Sequence, residues 1–300
     1  MPRSRVTYDD GHVYEFGPDM EPVETVEPGD SLAVETADSL EGEIRSDDDL
    51  LAGVPEEVNA ATGPIAVAGA EPGDVLAVEI DAVRLAEDRG RVVTTPGFGL
   101  LQDDPDIEHP FTRVTPVESG RLDFDGIEVA VDPCIGTIGV ATDGETHSTL
   151  VPHDHGGNMD TTDVAAGSTV YFPVFQPGGM LALGDAKAAM ADGEMCGTGA
   201  EIAVEVELTV DVVDTDLDLR RPLVETDDAW KTLASAETLE AAARRANRDA
   251  VTLLEREHGL DRTAAYLLSS LVGGLEVSQV VDPLLTVRNA VPKSYLETPL

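Results

Sequence analysis

The chain has 300 residues, of which 59 are Asp or Glu and 19 are Lys or Arg, for a formal net charge of −40. A hydrophobic content of 42% is enough for a packed core and excludes wholesale disorder, while the missing basic patch excludes nucleic acid as a partner. The acids run along the whole chain, and their repulsion fades in molar salt, where the screening length is about 3 Å, so the composition predicts the cytoplasm of an extreme halophile.

The first elements are announced by a repeat. Glu27-Pro28-Gly29-Asp30 precedes Ser31 to Thr36, and Glu71-Pro72-Gly73-Asp74 precedes Val75 to Ile80. Proline presets φ and glycine accepts φ > 0, so each pair suits the centre of a type II turn feeding a strand. Gln176-Pro177-Gly178-Gly179 is a weaker echo. Strands are expected at Val75–Val83, Gly90–Thr95, Arg121–Val131 and Ser168–Val174. Another is expected at Ile202–Val212, where every even-numbered side chain is apolar, a period of two. Short strands punctuated by Gly and Pro predict a mainly β body, sandwich or barrel-like, over residues 1–224.

The pattern then changes to a smaller α+β part over residues 225–300. Ser235 can cap a helix over Glu237 to His258, with Leu239, Ala243, Ala246, Ala250, Leu253 and Leu254 on one face and Gly259 as terminator. Asp261 can cap a second helix ending at Gly273-Gly274. A β segment follows, Glu276–Val281 and then Leu284–Val291, and this unit is expected to pack on the body. No apolar run reaches the length of a membrane span, and the stretch Met1 to Asp10 has no signal-peptide core. Cys134 and Cys196 are two widely spaced thiols and imply no disulfide framework.

Chemistry concentrates between His153 and Glu201. In His155-Gly156-Gly157-Asn158-Met159-Asp160, imidazole and carboxylate could share a metal or simply a hydrogen bond. His153, two positions earlier, would point away from His155 in an extended loop. Asp185 is expected just beyond a strand ending at Gly184, and Glu194 sits in a glycine-flanked turn as a candidate general base. Lys187 is one of only three lysines in the chain. Its retention where arginine is otherwise used suggests a role a guanidinium could not fill. Glu194, Lys187 and Cys196 could alternatively form a metal-free thiol hydrolase.

These segments, with Asn59 to Ile80, Ile135 to Val140 and Ser278-Gln279-Val280-Val281-Asp282-Pro283, resemble the acetamidase/formamidase family along almost the whole chain. The resemblance implies hydrolysis of short linear amides to a carboxylate and ammonia, a homodimer or higher oligomer, and a divalent metal, zinc. Carried over by position, Asp38, His155, Asp160 and Asp185 are the implied metal ligands. Glu194 is the implied base, Asn158 with the Gly156 and Gly157 amides the oxyanion donors, and Lys187 an electrostatic partner. Two departures stand out: Lys187 where the family usually has histidine, and Ala191 where it has glycine.

Overall fold

The computed structural model describes residues 4–300; Met1 to Arg3, part of the segment read as lacking a leader, lie outside the described residues. Both Pro-Gly turns form. Gly29 and Gly73 take φ of 85° and 102°, and Asp30 and Asp74 close the turns onto the carbonyls of Glu27 and Glu71 at 3.0 Å. The turns launch Ser31–Thr36 and Val75–Leu85. These strands join a nine-stranded sheet whose order is Ser4–Val6, Ser31–Thr36, Val204–Val213, Val75–Leu85, Thr169–Pro173, Leu223–Glu225, Ala229–Ala236, Leu285–Pro292 and Gly274–Gln279. In Val204–Val213 the even residues 204 to 210 are buried and the odd ones are not, as the alternation predicted.

A second sheet carries the site. Its order is Gly156–Asn158, Cys134–Gly139, Leu181–Lys187, Ala61–Val67 and His12–Val13. Its first four strands are buried along their whole length. Val34, Val78, Val206 and Leu208 of the large sheet share one apolar cluster with Ile65, Ile138, Leu181 and Leu183 of the small one, so the two sheets form a sandwich. Each such fully buried Val or Leu contributes roughly 1.5–3 kcal/mol. The molecule is therefore mainly β, with a helix pair and a β segment at its C-terminus.

Helix α1 (Leu239–His258) and helix α2 (Arg262–Val272) follow. Gly259 ends α1 in the left-handed conformation and Asp261 caps α2, as expected. The cap of α1 is Thr238, whose side chain accepts from the Ala241 amide. Ser235 instead lies in strand Ala229–Ala236, its hydroxyl 2.9 Å from that of Thr286. The single strand expected over Arg121–Val131 is a hairpin, Arg121–Phe124 and Ile127–Ala130. Asp125 and Gly126, at φ 52° and 85°, are the Asp-Gly pair that favours a two-residue turn. The large sheet crosses residue 224 without interruption, since Thr169–Pro173 pairs Leu223–Glu225, which pairs Ala229–Ala236. Among the described residues no helix is long and apolar enough to cross a membrane.

Candidate active site

Strand Leu181–Lys187 pairs with Cys134–Gly139 in a register that sets Gly184 against Thr137 and Lys187 against Cys134. Asp185 thus lies inside a strand, not beyond its end. On the far side of Cys134–Gly139, Thr137 pairs with Asn158, which places Asp160 beside the same centre. Lys187 is 1% exposed. Its Nζ donates to Asp160 Oδ1 and Asp185 Oδ2, each at 2.5 Å, and lies 3.4 Å from Glu194 Oε1. A glycine makes the room: a Cβ at Gly136 would overlap Lys187 Nζ, Asp185 Oδ2 and Asp160 Oδ1 together.

Two further carboxyls join. Asn158 Nδ2 donates to Asp282 Oδ2 at 2.9 Å, while its Oδ1 accepts from Thr137 Oγ1 at 2.5 Å and Asn59 Nδ2 at 3.0 Å. Glu201 accepts from Ser39 Oγ and the Gly199 amide, both at 2.8 Å. Five carboxyls, those of Asp160, Asp185, Glu194, Glu201 and Asp282, therefore surround one ammonium. Ionised together they would leave a buried net charge of −4, so protons must be retained among them. Burial raises Asp185 and Glu194 well above the usual carboxylate range, against the pull of Lys187. Burial and the charge of Asp160 do the same to Asp282. Burial carries Glu201 to about 7. For Lys187, burial by itself would lower the pKa, but the charges of Asp160 and Asp185 outweigh it and hold the ammonium well above its ordinary value. Asp160 Oδ2 receives no N–H or hydroxyl, and the charge of Asp160 helps to keep a proton on the neighbouring Asp282 carboxyl.

The backbone here is strained. Among the described residues eight non-glycines have φ > 0, and Asn59, Asp160, Asp185 and Glu194 are four of them. Such conformations cost about 1–3 kcal/mol each and persist where surrounding structure imposes them. Part of that imposition comes from Arg288, which is 1% exposed. It binds Thr161 Oγ1 at 2.9 Å, Asp163 Oδ2 at 2.7 Å and Asp192 Oδ2 at 2.5 Å, tying the loop after Asp160 to the loop before Glu194. Gly193 is also bound to the C-terminal strand through the Ser278 carbonyl at 2.7 Å. The C-terminal unit thus supplies Asp282 and holds Glu194 in place.

The four implied metal ligands fall in different surroundings. Asp38 accepts from the Leu40 and Gly42 amides and faces Arg91 at 3.3 Å; it shapes the turn from which Ser39 reaches Glu201. Asp160 and Asp185 hold an ammonium where an ion would have to sit, so this centre does not fit a divalent metal. His155 lies elsewhere, against Phe16 with ring centroids 4.9 Å apart. His153 does not point away from it. Residues 153 to 156 form a tight reversal, with the His153 amide on the Gly156 carbonyl at 2.8 Å and the return bond at 3.1 Å, which brings the two rings to 6.3 Å. That return bond also occupies the Gly156 amide, which is thereby unavailable as an oxyanion donor. With His147, the three imidazoles offer nitrogens all within 4.8 Å of one another and could hold a metal ion. Burial, then His147 and His153, push His155 down to about 3, so its ring is neutral. The Cys196 thiol donates to the Thr198 carbonyl at 3.3 Å and is not engaged with Glu194 or Lys187.

The sequence reading missed Asp282, Glu201, Thr137 and His147. Asp282 sits within one of the segments that carried the resemblance, and that was its only signal.

Residues 4–148 and 140–297 match the model of the Acetamidase/Formamidase family. The chain is 29% identical over 263 residues to a formamidase of Methylophilus methylotrophus, covering 68% of this chain and 65% of that protein. It is 26% identical over 268 residues to an acetamidase of Mycolicibacterium smegmatis, covering 65% of this chain and 64% of that one. The chain thus spans just under two thirds of the length of these curated relatives. Among solved structures, a predicted acetamidase/formamidase of Thermoanaerobacter tengcongensis superposes with a TM-score of 0.93 at 39% identity, covering 98% of this chain and 97% of that one. An acetamidase of Bacillus halodurans superposes with a TM-score of 0.91 at 36% identity, covering 98% of each. Sandwich, site and sequence agree: the chain belongs to the acetamidase/formamidase family.

Proposed function

We propose that this protein hydrolyses short linear amides, of the formamide or acetamide kind, to a carboxylate and ammonia. The observation that carries the reading is the set of buried carboxyls around Lys187, in a chain whose relatives are named formamidase and acetamidase. Depth assigns the roles. Asp160, Lys187 and Asp185 are 0–2% exposed, whereas Glu194 and Asp282 reach 5% and 6%. The inner three set the charge, and Glu194 is assigned the proton transfer.

Glu194, in its carboxylate form, takes a proton from water as the oxygen attacks the amide carbon. The remaining N–H of the Asn158 amide, not engaged by Asp282, donates to the developing oxyanion. Glu194 returns the proton to nitrogen, the C–N bond breaks, and ammonia leaves. Such proton transfer contributes about 10²–10⁴-fold in rate. The Lys187 ammonium, its N–H bonds directed at Asp160, Asp185 and Glu194, holds these carboxyls together without a metal ion at this centre. Zinc, which the family resemblance implied, has among the described residues its candidate ligands in the separate histidine group.

Ammonia release from formamide and acetamide in molar KCl tests the reading. Glu194→Gln should lower kcat by about 10²–10⁴-fold with unchanged circular dichroism, and full activity in that variant would refute the assignment.

The −40 charge supports a halophilic, cytoplasmic setting. Tyr266, Leu267 and Leu271 on α2 and Leu275 on the adjoining edge strand, 59–82% exposed, support a homo-oligomer. Light scattering and thermal melts across a KCl series check both; a low-salt monomer with an unchanged Tm would remove both.

A further inference from the structure

We propose that His147, His153 and His155 form a binding site for one divalent transition ion, zinc being the representative, separate from the Lys187 centre. His155 is 1% exposed, and neither of its ring nitrogens has a partner in the protein. A buried neutral imidazole with both nitrogens unsatisfied carries a desolvation cost, and an ion on its lone-pair nitrogen would remove part of it. The rings of His147 and His153 stack near it, with centroids 5.5 Å and 6.3 Å from its own. All three open on one cavity of about 440 Å³, also lined by Asp143, Phe175 and Arg221.

The donor set is nitrogen only. Imidazole suits zinc, copper and nickel, whereas magnesium and calcium require oxygen ligands. The neighbouring arginines do not forbid a cation, because Arg220 is paired with Asp218 and Arg221 with Asp249 and Asp154. Three protein ligands leave a coordination position facing the cavity for water.

The position suggests what the ion does. His147 lies on a two-residue strand paired with Glu15–Phe16, and the other two rings flank the reversal that leads into Asn158 and Asp160. An ion would fasten these pieces together and stabilise the loop that enters the reactive centre. It acts on the loop's position, not on the amide.

The test uses the full chain, freed of metal with a chelator and kept in molar KCl to suppress adventitious binding by surface acids. Zn²⁺ is titrated against a chromophoric chelator, and Co²⁺ is followed by its visible d–d absorption. The expected result is one equivalent bound, with visible bands typical of an imidazole-bound ion and a higher Tm with Zn²⁺. His147→Ala and His153→Ala, both at half-buried positions, should each weaken binding by at least about 10-fold while circular dichroism is unchanged. Glu194→Gln should bind as the wild type does. Failure to bind one equivalent, weakening of less than about 10-fold in both histidine variants, or loss of binding in Glu194→Gln would overturn the site. These readouts are independent of amide turnover, so failure of the hydrolase reading would leave them intact.

Discussion

The loop from His153 to Asp160 feeds two buried polar clusters, and they bear burial in opposite ways. At the Lys187 end, charge is met by charge. An ammonium sits 2.5 Å from two carboxylates, and shared protons neutralise much of the remainder. At the His155 end, charge is avoided, and a neutral ring keeps a lone pair and an N–H that nothing in the protein uses. A buried carboxylate must find a cation or a proton within the chain, because its desolvation amounts to several kcal/mol. A buried imidazole can be neutral and hold its one nitrogen lone pair for a ligand. The first cluster is therefore complete as built, whereas the second keeps the open valence on which the proposed ion site rests.

The sharpest way to separate the two is a crossed pair of variants. Glu194→Gln should lose about 10²–10⁴-fold in kcat yet bind Zn²⁺ normally, while His153→Ala should lose the ion with amide turnover retained at saturating substrate. A single variant that abolishes both would merge the clusters into one site. The next largest effect is on stability. Lys187→Met leaves the carboxyls without their cation, and breaking a buried pair in this way costs about 3–5 kcal/mol. Urea denaturation in molar KCl should show it, and an undiminished midpoint would mean that shared protons alone hold the cluster. The smallest effect is a slope. Folding raises Glu201 from 4.5 to about 7, so its contribution is fully present below pH 4.5 and is lost as pH rises through about 7. In Glu201→Gln the decline in stability over that window should be shallower than in the wild type. An identical slope would show that Glu201 titrates normally.

Much of the frame was legible. The Pro-Gly turns before Ser31 and Val75, the alternation from Val204 to Val210, and the glycine and aspartate bounding α1 and α2 are local signals that tertiary structure did not override. The mistaken elements have local causes too. Asp125-Gly126 is a turn signal inside an apparently continuous strand, and Ser235 was claimed by a sheet before a helix could use it. At the site, Asp160, Asp185, Lys187 and Glu194 were identifiable because they crowd among glycines in one stretch. Their arrangement was not. Lys187 was expected to act as an electrostatic partner beside a metal ion, but the room left by Gly136 lets its ammonium itself occupy the space between the carboxylates.

By itself the sequence determined the class of fold, the family, the acidic composition and four of the residues that gather at one centre, since each is written in composition, periodicity or short motifs. Only the tertiary structure decided which of them meet. Asp282 reaches Asn158 across 124 positions through strand order, and His147 joins His153 because a long-range antiparallel pairing sets it against Phe16. Strand register and chain reversal act at distances that no local pattern encodes. In a chain with 59 acids, residue type alone cannot single out the five that surround Lys187.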